Sequence, residues 1–424
     1  MTGAWTTRVL DAVDDEAEAM TALLTRLVRV PSISGSDEEN GIQAELAAQL
    51  VAEDLDVDHW QISLPETLAA ADFPGVEVSR THAWGLVGRL PGRGDGPTLM
   101  LNAHVDVVPP GQAGNWSTGP AFSGRIVGDQ LYGRGSCDMK GGLVSARWAV
   151  RALRRAAVPL AGDLLLACVQ GEEDGGLGTY ATLKRGWRAD ACVIPEPTRL
   201  GLVPAAAGSL TFRLSVSGRA THASTRLSGV SAIEKFWPVW SALAELERRR
   251  NKAVDPLMSR WPIAYPLSIG TVQAGDWPSS VPDWLVAQGR LGVALEEPVE
   301  AARAELEGAV RSACEADPWL RDHPVTVDWY GGQFAPGRLP PGSDLLTRMQ
   351  AAHFAVTRAP QQTYGVPYGS DLRLMCGLGG VPTVHYGPGD PALAHGPDER
   401  VPLSEVATAA RALAVLALDV CGTC

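Results

Sequence analysis

Residues 98–108 read Thr-Leu-Met-Leu-Asn-Ala-His-Val-Asp-Val-Val, which is an almost unbroken apolar run. A strand of this composition has to be covered on both faces, as the strands of parallel sheets are. The same apolar composition occurs in residues 163–170 and 191–194. The segments between these strands are predicted to form helices, over residues 141–156 and 176–184. Buried strands that alternate with helices predict an α/β fold whose central sheet carries helices on both faces.

The pattern changes after residue 207, and a chain of 424 residues is long enough for a second domain. The next predicted elements are a strand over 208–217, a helix over 230–250, strands over 267–271 and 285–295, a helix over 298–316 and a strand over 325–330. This order is that of a small α+β split-βαβ, or ferredoxin-like, domain. We therefore predict a catalytic domain in two parts, residues 1–207 and 331–424, interrupted by an inserted domain over residues 208–330.

Two polar residues interrupt the first apolar run. His104 and Asp106 are two residues apart, so on a strand their side chains point to the same face, near the C-terminal end of the strand. That end is where ligands bind in open α/β sheets. A buried histidine that bonds a neighbour is the simpler alternative, but a charged Asp106 in such a place needs a cation or several donors.

Further acids and one histidine follow other predicted strands or stand in glycine-rich loops. They are Asp138, Glu172, Glu173, Glu196 and His395. Taken singly, a glycine-rich turn around Asp138 or a solvated loop at residues 172–174 explains them as well. Taken together, carboxylates and imidazoles at neighbouring strand ends form the ligand set that Zn²⁺ takes, so the sequence predicts a metal site.

Composition excludes several other classes of function. The chain has 36 Lys and Arg against 48 Asp and Glu, a formal charge of −12, which argues against a nucleic-acid partner. The seven cysteines do not suggest a disulfide framework, and we expect Cys421 and Cys424 in the terminal Cys-Gly-Thr-Cys to be a plain tail rather than a redox motif. Because there is no signal-peptide core and no long apolar run, we expect a cytoplasmic protein without a membrane partner.

Five segments share the motifs of one enzyme family. They are Val30-Pro-Ser-Ile-Ser-Gly, His104-Val-Asp-Val-Val-Pro, the stretch from Trp116 to Gly142 with its Tyr-Gly-Arg-Gly-Ser-Cys-Asp-Met-Lys-Gly-Gly, Glu172-Glu173, and His395-Gly-Pro-Asp-Glu. In these residues the chain resembles the co-catalytic zinc metallohydrolase family that includes acetylornithine deacetylase, succinyl-diaminopimelate desuccinylase, aminoacylase and glutamate carboxypeptidase. The resemblance implies a zinc-peptidase-like catalytic domain with a central mixed sheet and an inserted lid and dimerisation domain.

The resemblance also implies a ligand set for two Zn²⁺ ions, which Co²⁺ or Mn²⁺ can replace. His104 and Glu196 would hold one ion, Glu173 and His395 the other, and Asp138 would bridge them. The peptide bond after Asp138 is often cis in the family. Asp106 would not be a ligand but would orient His104 through its other ring nitrogen, as an outer carboxylate does.

The implied reaction is the hydrolysis of an amide bond in a small N-acyl compound. The metal ions lower the pKa of a water molecule, and Glu172 would be the general base that takes its proton and delivers it to the leaving nitrogen. Two alternatives stay open. One is a dipeptidase or carboxypeptidase that acts on short peptides, and the other is a catalytically silent metal-binding dimer.

The resemblance further implies a homodimer and gives expectations for the substrate pocket. His222, in Gly218-Arg-Ala-Thr-His-Ala-Ser, would reach the partner's active site and stabilise the oxyanion, and Ser370 and Asp371 would line the pocket, unless Ser370 only caps a helix. Many members bind the substrate carboxylate with an arginine, but here Gly292 occupies that position and Arg290 lies two residues before it. In this segment the chain resembles the acetylornithine-deacetylase-like subset of the family. The missing arginine puts an N-acyl amino acid substrate in doubt.

Overall fold

The computed structural model describes residues 2–424, and the chain divides into two units by its contacts. The first unit contains the residues up to Ala205, Arg338–Tyr364 and Ser370–Cys424. The second contains Ala206–Gly337 and Gly365–Gly369. No helix in the described part of the chain is both long and apolar enough to cross a membrane.

The described residues form eleven α-helices. These are α1 (Thr2–Asp14), α2 (Ala17–Arg29), α3 (Asp37–Ala52), α4 (Leu64–Ala69), α5 (Gly141–Arg155), α6 (Leu177–Lys184), α7 (Ala232–Arg250), α8 (Val299–Ala316), α9 (Pro318–Asp322), α10 (Leu345–Thr357) and α11 (Leu403–Cys421). The apolar faces of α5 and α11 are buried almost completely, and the N-terminus of α3 is capped by Ser36, whose hydroxyl accepts from the Glu39 amide.

The described residues also form sixteen strands. These are β1 (Asp56–Gln61), β2 (Trp84–Leu90), β3 (Leu99–His104), β4 (Arg125–Val127), β5 (Gln130–Tyr132), β6 (Leu164–Val169), β7 (Ala191–Ile194), β8 (Leu202–Ala206), β9 (Gly208–Ser217), β10 (Leu267–Ala274), β11 (Trp284–Val293), β12 (Thr326–Phe334), β13 (Gly337–Arg338), β14 (Thr363–Val366), β15 (Thr383–His385) and β16 (Arg400–Pro402).

The large sheet has the strand order β1-β2-β6-β3-β7-β15-β8-β13, and β14 pairs with β8. Strand β3 runs parallel to both β6 and β7, and β15 runs parallel to β7, whereas β1, β2 and β8 pair antiparallel. Every residue of β3, β6 and β7 is buried, as continuous apolar strands require. The predicted α/β class with a central mixed sheet is confirmed.

The second unit holds a four-stranded antiparallel sheet of order β10-β11-β9-β12. Alternate residues of β9 are buried, among them Leu210, Phe212 and Leu214, and the apolar residues of α7 and α8 belong to the same core. The order interleaves the strands of the two strand–helix–strand units, β9-α7-β10 and β11-α8-β12, which is the arrangement predicted for a split-βαβ domain.

Some element bounds differ from the sequence predictions. Residues 11–28 have the apolar spacing of a single amphipathic helix, but they form parts of two helices: α1 ends at Asp14 and α2 begins at Ala17. Three consecutive acids, at positions 14 to 16, lie at this break, and negative charge at a helix C-terminus is unfavourable. The strand predicted over residues 98–108 ends at His104, so Asp106 follows the strand instead of lying within it.

Candidate metal centre

Three neighbouring parallel strands deliver the acids and the first imidazole to one edge of the large sheet. Strand β3 ends at His104, β7 ends two residues before Glu196, and β6 ends three residues before Glu172. Because these strands are parallel, the residues that follow them meet at the same edge. Asp138 and His395 reach this edge from loops of the same unit.

The side chains form two groups that share Asp138. His104 Nε2 lies 3.1 Å from Asp138 Oδ1 and 3.9 Å from Glu196 Oε1. His395 Nε2 lies 3.0 Å from Glu173 Oε2 and 3.4 Å from Asp138 Oδ2. Within each group the potential ligand atoms all lie within 4.8 Å of one another. Asp138 therefore turns one carboxylate oxygen towards each imidazole.

This donor set fits divalent metal ions of the Zn²⁺ type. Imidazole nitrogens and carboxylate oxygens are the ligands that Zn²⁺ takes, and each group offers three protein ligands, as catalytic zinc sites do. The two groups consist of the five residues that the family resemblance implied as ligands: His104, Asp138, Glu173, Glu196 and His395. The structure brings these residues together, and their individual roles stay predictions.

The electrostatics of the cluster favour positive charge. The charge of Glu173 raises the pKa of His395 to about 11. Burial raises the pKa values of Glu173 and Glu196. Burial acts in the same direction on Asp138, but hydrogen bonds from the two imidazoles outweigh it and lower the pKa of that carboxyl. A divalent cation would supply the positive charge that the histidines supply here.

Glu172 is buried beside the cluster but belongs to neither group of ligand atoms. Burial raises the pKa of its carboxyl well above the ordinary value, and the charges of Asp371 and Glu196 add to this effect. A buried carboxyl with a raised pKa, next to a metal site and outside the ligand set, has the properties of a general base.

Asp106 differs from its predicted role in one respect. The Nδ1 atom of His104 lies 2.9 Å from the main-chain oxygen of Asp106 and 3.7 Å from its carboxylate, so the carbonyl rather than the carboxylate orients the ring. The carboxylate instead accepts hydrogen bonds from the amides of Glu172 and Glu173, each at 3.2 Å, and from the Ser34 hydroxyl at 2.8 Å. Asp106 therefore contacts both the imidazole of His104 and the amides of Glu172 and Glu173.

The surroundings of Asp138 contain a buried ion pair that the sequence reasoning missed. The carboxylate of Glu399 accepts from the amides of Cys137 at 2.9 Å and Asp138 at 3.1 Å, and it pairs with Arg134. The same guanidinium donates to the main-chain oxygen of His395 at 3.0 Å. The peptide bond between Asp138 and Met139 is cis, as the family resemblance implied. Glu399 is the last residue of the His-Gly-Pro-Asp-Glu motif, so the sequence did contain a signal for this ion pair.

Ser370 and Asp371 are both buried in the first unit. The Ser370 hydroxyl accepts from the Leu372 amide at 3.3 Å and lies 3.0 Å from His385 Nε2, so a local capping contact and a side-chain contact are both present. Burial raises the pKa of Asp371 and lowers that of His385 to about 3. His385 ends strand β15, and its position within an apolar strand was an overlooked signal.

His222 and Arg290 belong to the second unit. His222 is exposed, and its Nδ1 accepts from the Ser224 amide at 3.1 Å. Arg290 lies on β11 opposite Ser268 and Thr211. Their predicted contributions to the oxyanion and to the substrate stay predictions.

A model of peptidase family M20/M25/M40 matches residues 100–419, which is about three quarters of the chain. The chain belongs to this family. As a member of the M20 family with this candidate metal cluster, it is a metal-dependent hydrolase of amide bonds.

Relatives and a solved structure agree with membership of the M20 family. The chain is 26% identical to the N-formyl-4-amino-5-aminomethyl-2-methylpyrimidine deformylase of Halalkalibacterium halodurans, over 97% of both chains. It is 36% identical to the succinyl-diaminopimelate desuccinylase of Methylobacterium sp. (strain 4-46), over 47% of this chain and 49% of the relative. The dipeptidase Dug1p of Saccharomyces cerevisiae superposes with a TM-score of 0.77 at 16% identity, over 97% of this chain and 98% of that chain, and so shares the fold.

Proposed function

We propose that this protein is a deacylase that hydrolyses the amide bond of a small N-acyl amine, with two Zn²⁺ ions and with Glu172 as general base. The observation that carries the proposal is the position of Glu172, which is buried next to two complete groups of ligand atoms without belonging to either. Similarity to a deformylase along 97% of both chains supports a small acyl group such as formyl.

The residues in and around the two ligand groups have different proposed roles. His104 and Glu196 would hold one ion, Glu173 and His395 the other, and Asp138 both. When bound, such ions acidify water and polarise a carbonyl oxygen. Glu172 takes the proton of the attacking water and delivers it to the leaving nitrogen, which its raised pKa favours. Asp106 holds the amides of Glu172 and Glu173 during these transfers.

The close backbone packing around Gly292 in the second unit supports a substrate whose amine has no neighbouring carboxylate. A β-carbon added at Gly292 would lie 2.9 Å from the main-chain nitrogen of Pro266 and from the carbonyl carbon of Tyr265. Contacts this short with main-chain atoms leave no room for the arginine that would form a bidentate clamp on a carboxylate. Arg290 is the remaining cation of this segment and is proposed to contact the substrate from the lid. Because this carboxylate clamp is missing, a peptidase acting on free carboxyl termini is only the second candidate.

The proposal includes a homodimer formed through the second unit. Helix α7 exposes Ile233, Trp237 and Trp240, which lie on one face at helical spacing. Strand β10 is at the edge of its sheet, and its backbone is open to pairing with a second copy. Large exposed apolar side chains beside an open edge are typical of an interaction surface. His222 would then serve the active site of the partner subunit.

The test is a panel of N-formyl, N-acetyl and N-succinyl amines together with dipeptides, read by amine release in the presence of Zn²⁺. We expect turnover of an N-acyl amine and none of the dipeptides. Glu172→Gln should retain bound metal and lose about 10²–10⁴-fold in kcat, whereas Glu66→Gln, at an exposed site on α4, should match the wild type. Dipeptide turnover would favour the peptidase, and bound metal without any turnover would favour a silent dimer.

A further inference from the structure

We propose that Arg80 is a positioning residue that fixes the turn carrying Glu172 and Glu173. The inference rests on the proposed function, in which these glutamates are the base and a metal ligand. Arg80 lies in the loop between α4 and β2, more than ninety positions before the turn, and its ion pairs are with Asp174 and Glu39, which are not predicted ligands. We define the glutamate turn as residues 171–175, which connect β6 to α6.

Arg80 binds the glutamate turn through an ion pair with Asp174. Its Nη1 donates to Asp174 Oδ2 at 2.7 Å and its Nη2 to Asp174 Oδ1 at 2.9 Å, a bidentate pair. Both side chains are buried, with exposed fractions of 2% and 4%. The Val78 amide also donates to Asp174 Oδ2, at 3.2 Å. Asp174 directly follows Glu173, so its placement sets the backbone that carries both glutamates.

Glu39 holds the other end of the turn. One of its carboxylate oxygens accepts from the Gly171 amide and the other from the Gly35 amide, both at 2.8 Å. Arg80 Nε lies 3.6 Å from this carboxylate, so the guanidinium faces Glu39 as well as Asp174. With Asp106 bonded to the amides of Glu172 and Glu173, side chains hold each successive part of the turn.

The shape of the turn also depends on the guanidinium plane. Gly171 has a φ of +64°, and a β-carbon added there would lie 2.8 Å from Arg80 Nη2. The planar group therefore packs directly against the backbone of Gly171. A lysine ammonium would keep the charge but could not fill this plane or form the fork with Asp174.

Charge adds to the geometry. Asp106 and Asp174 are buried acids whose charge attracts Arg80, and the same guanidinium faces Glu39. Removing the cation leaves uncompensated negative charge in the interior, which favours displacement of the turn. Displacement of a catalytic group by about 1 Å can cost about 100-fold in rate. The expected result is a loss in kcat with little change in KM.

The experiment compares Arg80→Lys, Arg80→Gln and Asp174→Asn with Arg89→Lys. Arg89 pairs with Asp56 on the surface, where the side chains are 40% and 58% exposed, so its variant controls for replacing the arginine of an ion pair by lysine. We expect kcat per bound metal to fall about 10–100-fold in all three test variants, with KM within about twofold and Arg80→Gln affected most. Arg89→Lys should equal the wild type.

A Co²⁺ titration followed by visible absorption gives a readout that does not need turnover. Because Glu173 lies on the turn, Co²⁺ affinity should weaken about 10-fold in Arg80→Lys and stay unchanged in Arg89→Lys. Wild-type protein that hydrolyses no N-acyl amine would refute the proposed function, while the titration would still test Arg80. Wild-type kcat and Co²⁺ affinity in Arg80→Lys and Asp174→Asn would overturn the inference. If Arg80→Lys does not fold, Asp174→Asn decides the matter.

Discussion

At the scale of single residues, the site depends on carboxylates whose negative charge is compensated by a neighbouring imidazole or guanidinium group. Asp138 faces an imidazole with each oxygen, Glu399 faces Arg134, and Asp174 faces Arg80. Buried charge is costly unless it is paired or hydrogen-bonded. These three acids are therefore each tied to a definite partner, and this ties the geometry of the site to the charge state of its neighbours.

Glu39 provides a test of this coupling through pH. Burial, with repulsion from Asp106, raises its pKa from the ordinary 4.5 to about 8. Between these values the folded state holds a proton that the unfolded state has released, so the contribution of Glu39 to the free energy of unfolding falls as the pH rises from about 5 to 8. Glu39→Gln removes this dependence. We expect the difference in Tm between wild type and Glu39→Gln to shrink steadily over that pH range.

The matched control for this prediction is Glu66→Gln, at an exposed position of α4. Its Tm should follow that of the wild type at every pH. A difference in Tm between wild type and Glu39→Gln that stays constant from pH 5 to pH 8 would contradict the assigned pKa.

The residues of the cluster could be predicted from the sequence because each metal-ligand candidate stands next to a strand end or inside a motif. Arg80 could not be predicted, because its loop has no periodic pattern and its partner Asp174 is 94 positions away. The contact of His104 with the carbonyl of Asp106 was also hidden, since a pattern of side chains does not report on main-chain acceptors.

At the scale of elements, close approach of backbones places the metal ligands. Gly142, in the first turn of α5, lies so close to the strand end of β7 that an added β-carbon would be 1.8 Å from the Pro195 oxygen. Gly387 also approaches this oxygen, at 2.3 Å by the same measure. Glu196 directly follows Pro195, so these two glycines fix the segment that presents it.

We expect Gly142→Ala to push Pro195 away and to move Glu196 with it. The free energy of unfolding should fall by about 1–3 kcal/mol through overpacking, and Zn²⁺ affinity should fall about 10-fold through the displaced ligand. Urea unfolding and competition with a chelator measure the two effects.

Gly308→Ala is the control for this substitution. Gly308 also lies in a helix, α8, but an added β-carbon meets nothing within 4 Å. The helix should gain about 0.5–1 kcal/mol, and Zn²⁺ affinity should stay the same. Equal stability and metal affinity in Gly142→Ala and the wild type would show that this contact does not place Glu196.

Long elements were the predictable part of the fold. Strand β9 matches its predicted bounds, and α5 and α8 differ by one residue at one end, because strong apolar periodicity marks them. The four-residue strand β7 also matches, because all of its residues are apolar. The short strands β4, β5, β8, β14 and β16 were missed, since three to five residues carry too little pattern. Some of them pair with strands that are distant in the sequence, as β16 does with β5.

At the scale of the whole molecule, the proposed dimer makes a prediction about the second unit. Trp237 is 60% exposed in the middle of the apolar face of α7. Aromatic anchors near the centre of an interface carry much of its binding energy, so Trp237→Arg should raise the dimer dissociation constant at least about 10-fold. Sedimentation velocity measures the result.

Leu68→Arg is the control for the dimer prediction, because Leu68 on α4 of the first unit is 51% exposed and outside the proposed surface. Its sedimentation should equal that of the wild type. A wild-type protein that sediments as a monomer at all concentrations, or a Trp237→Arg variant that remains a dimer, would be incompatible with an interface on this face of α7.

The proposed reaction depends on a pair of divalent ions that His104, Asp138, Glu173, Glu196 and His395 would hold. The most direct measurement is a Zn²⁺ titration of chelator-treated protein, with hydrolysis of an N-formyl amine as the readout. We expect no hydrolysis at the start, recovery that saturates at about two equivalents per chain, and no recovery in Asp138→Ala. Hydrolysis that persists after metal removal, or full recovery in Asp138→Ala, would contradict the account.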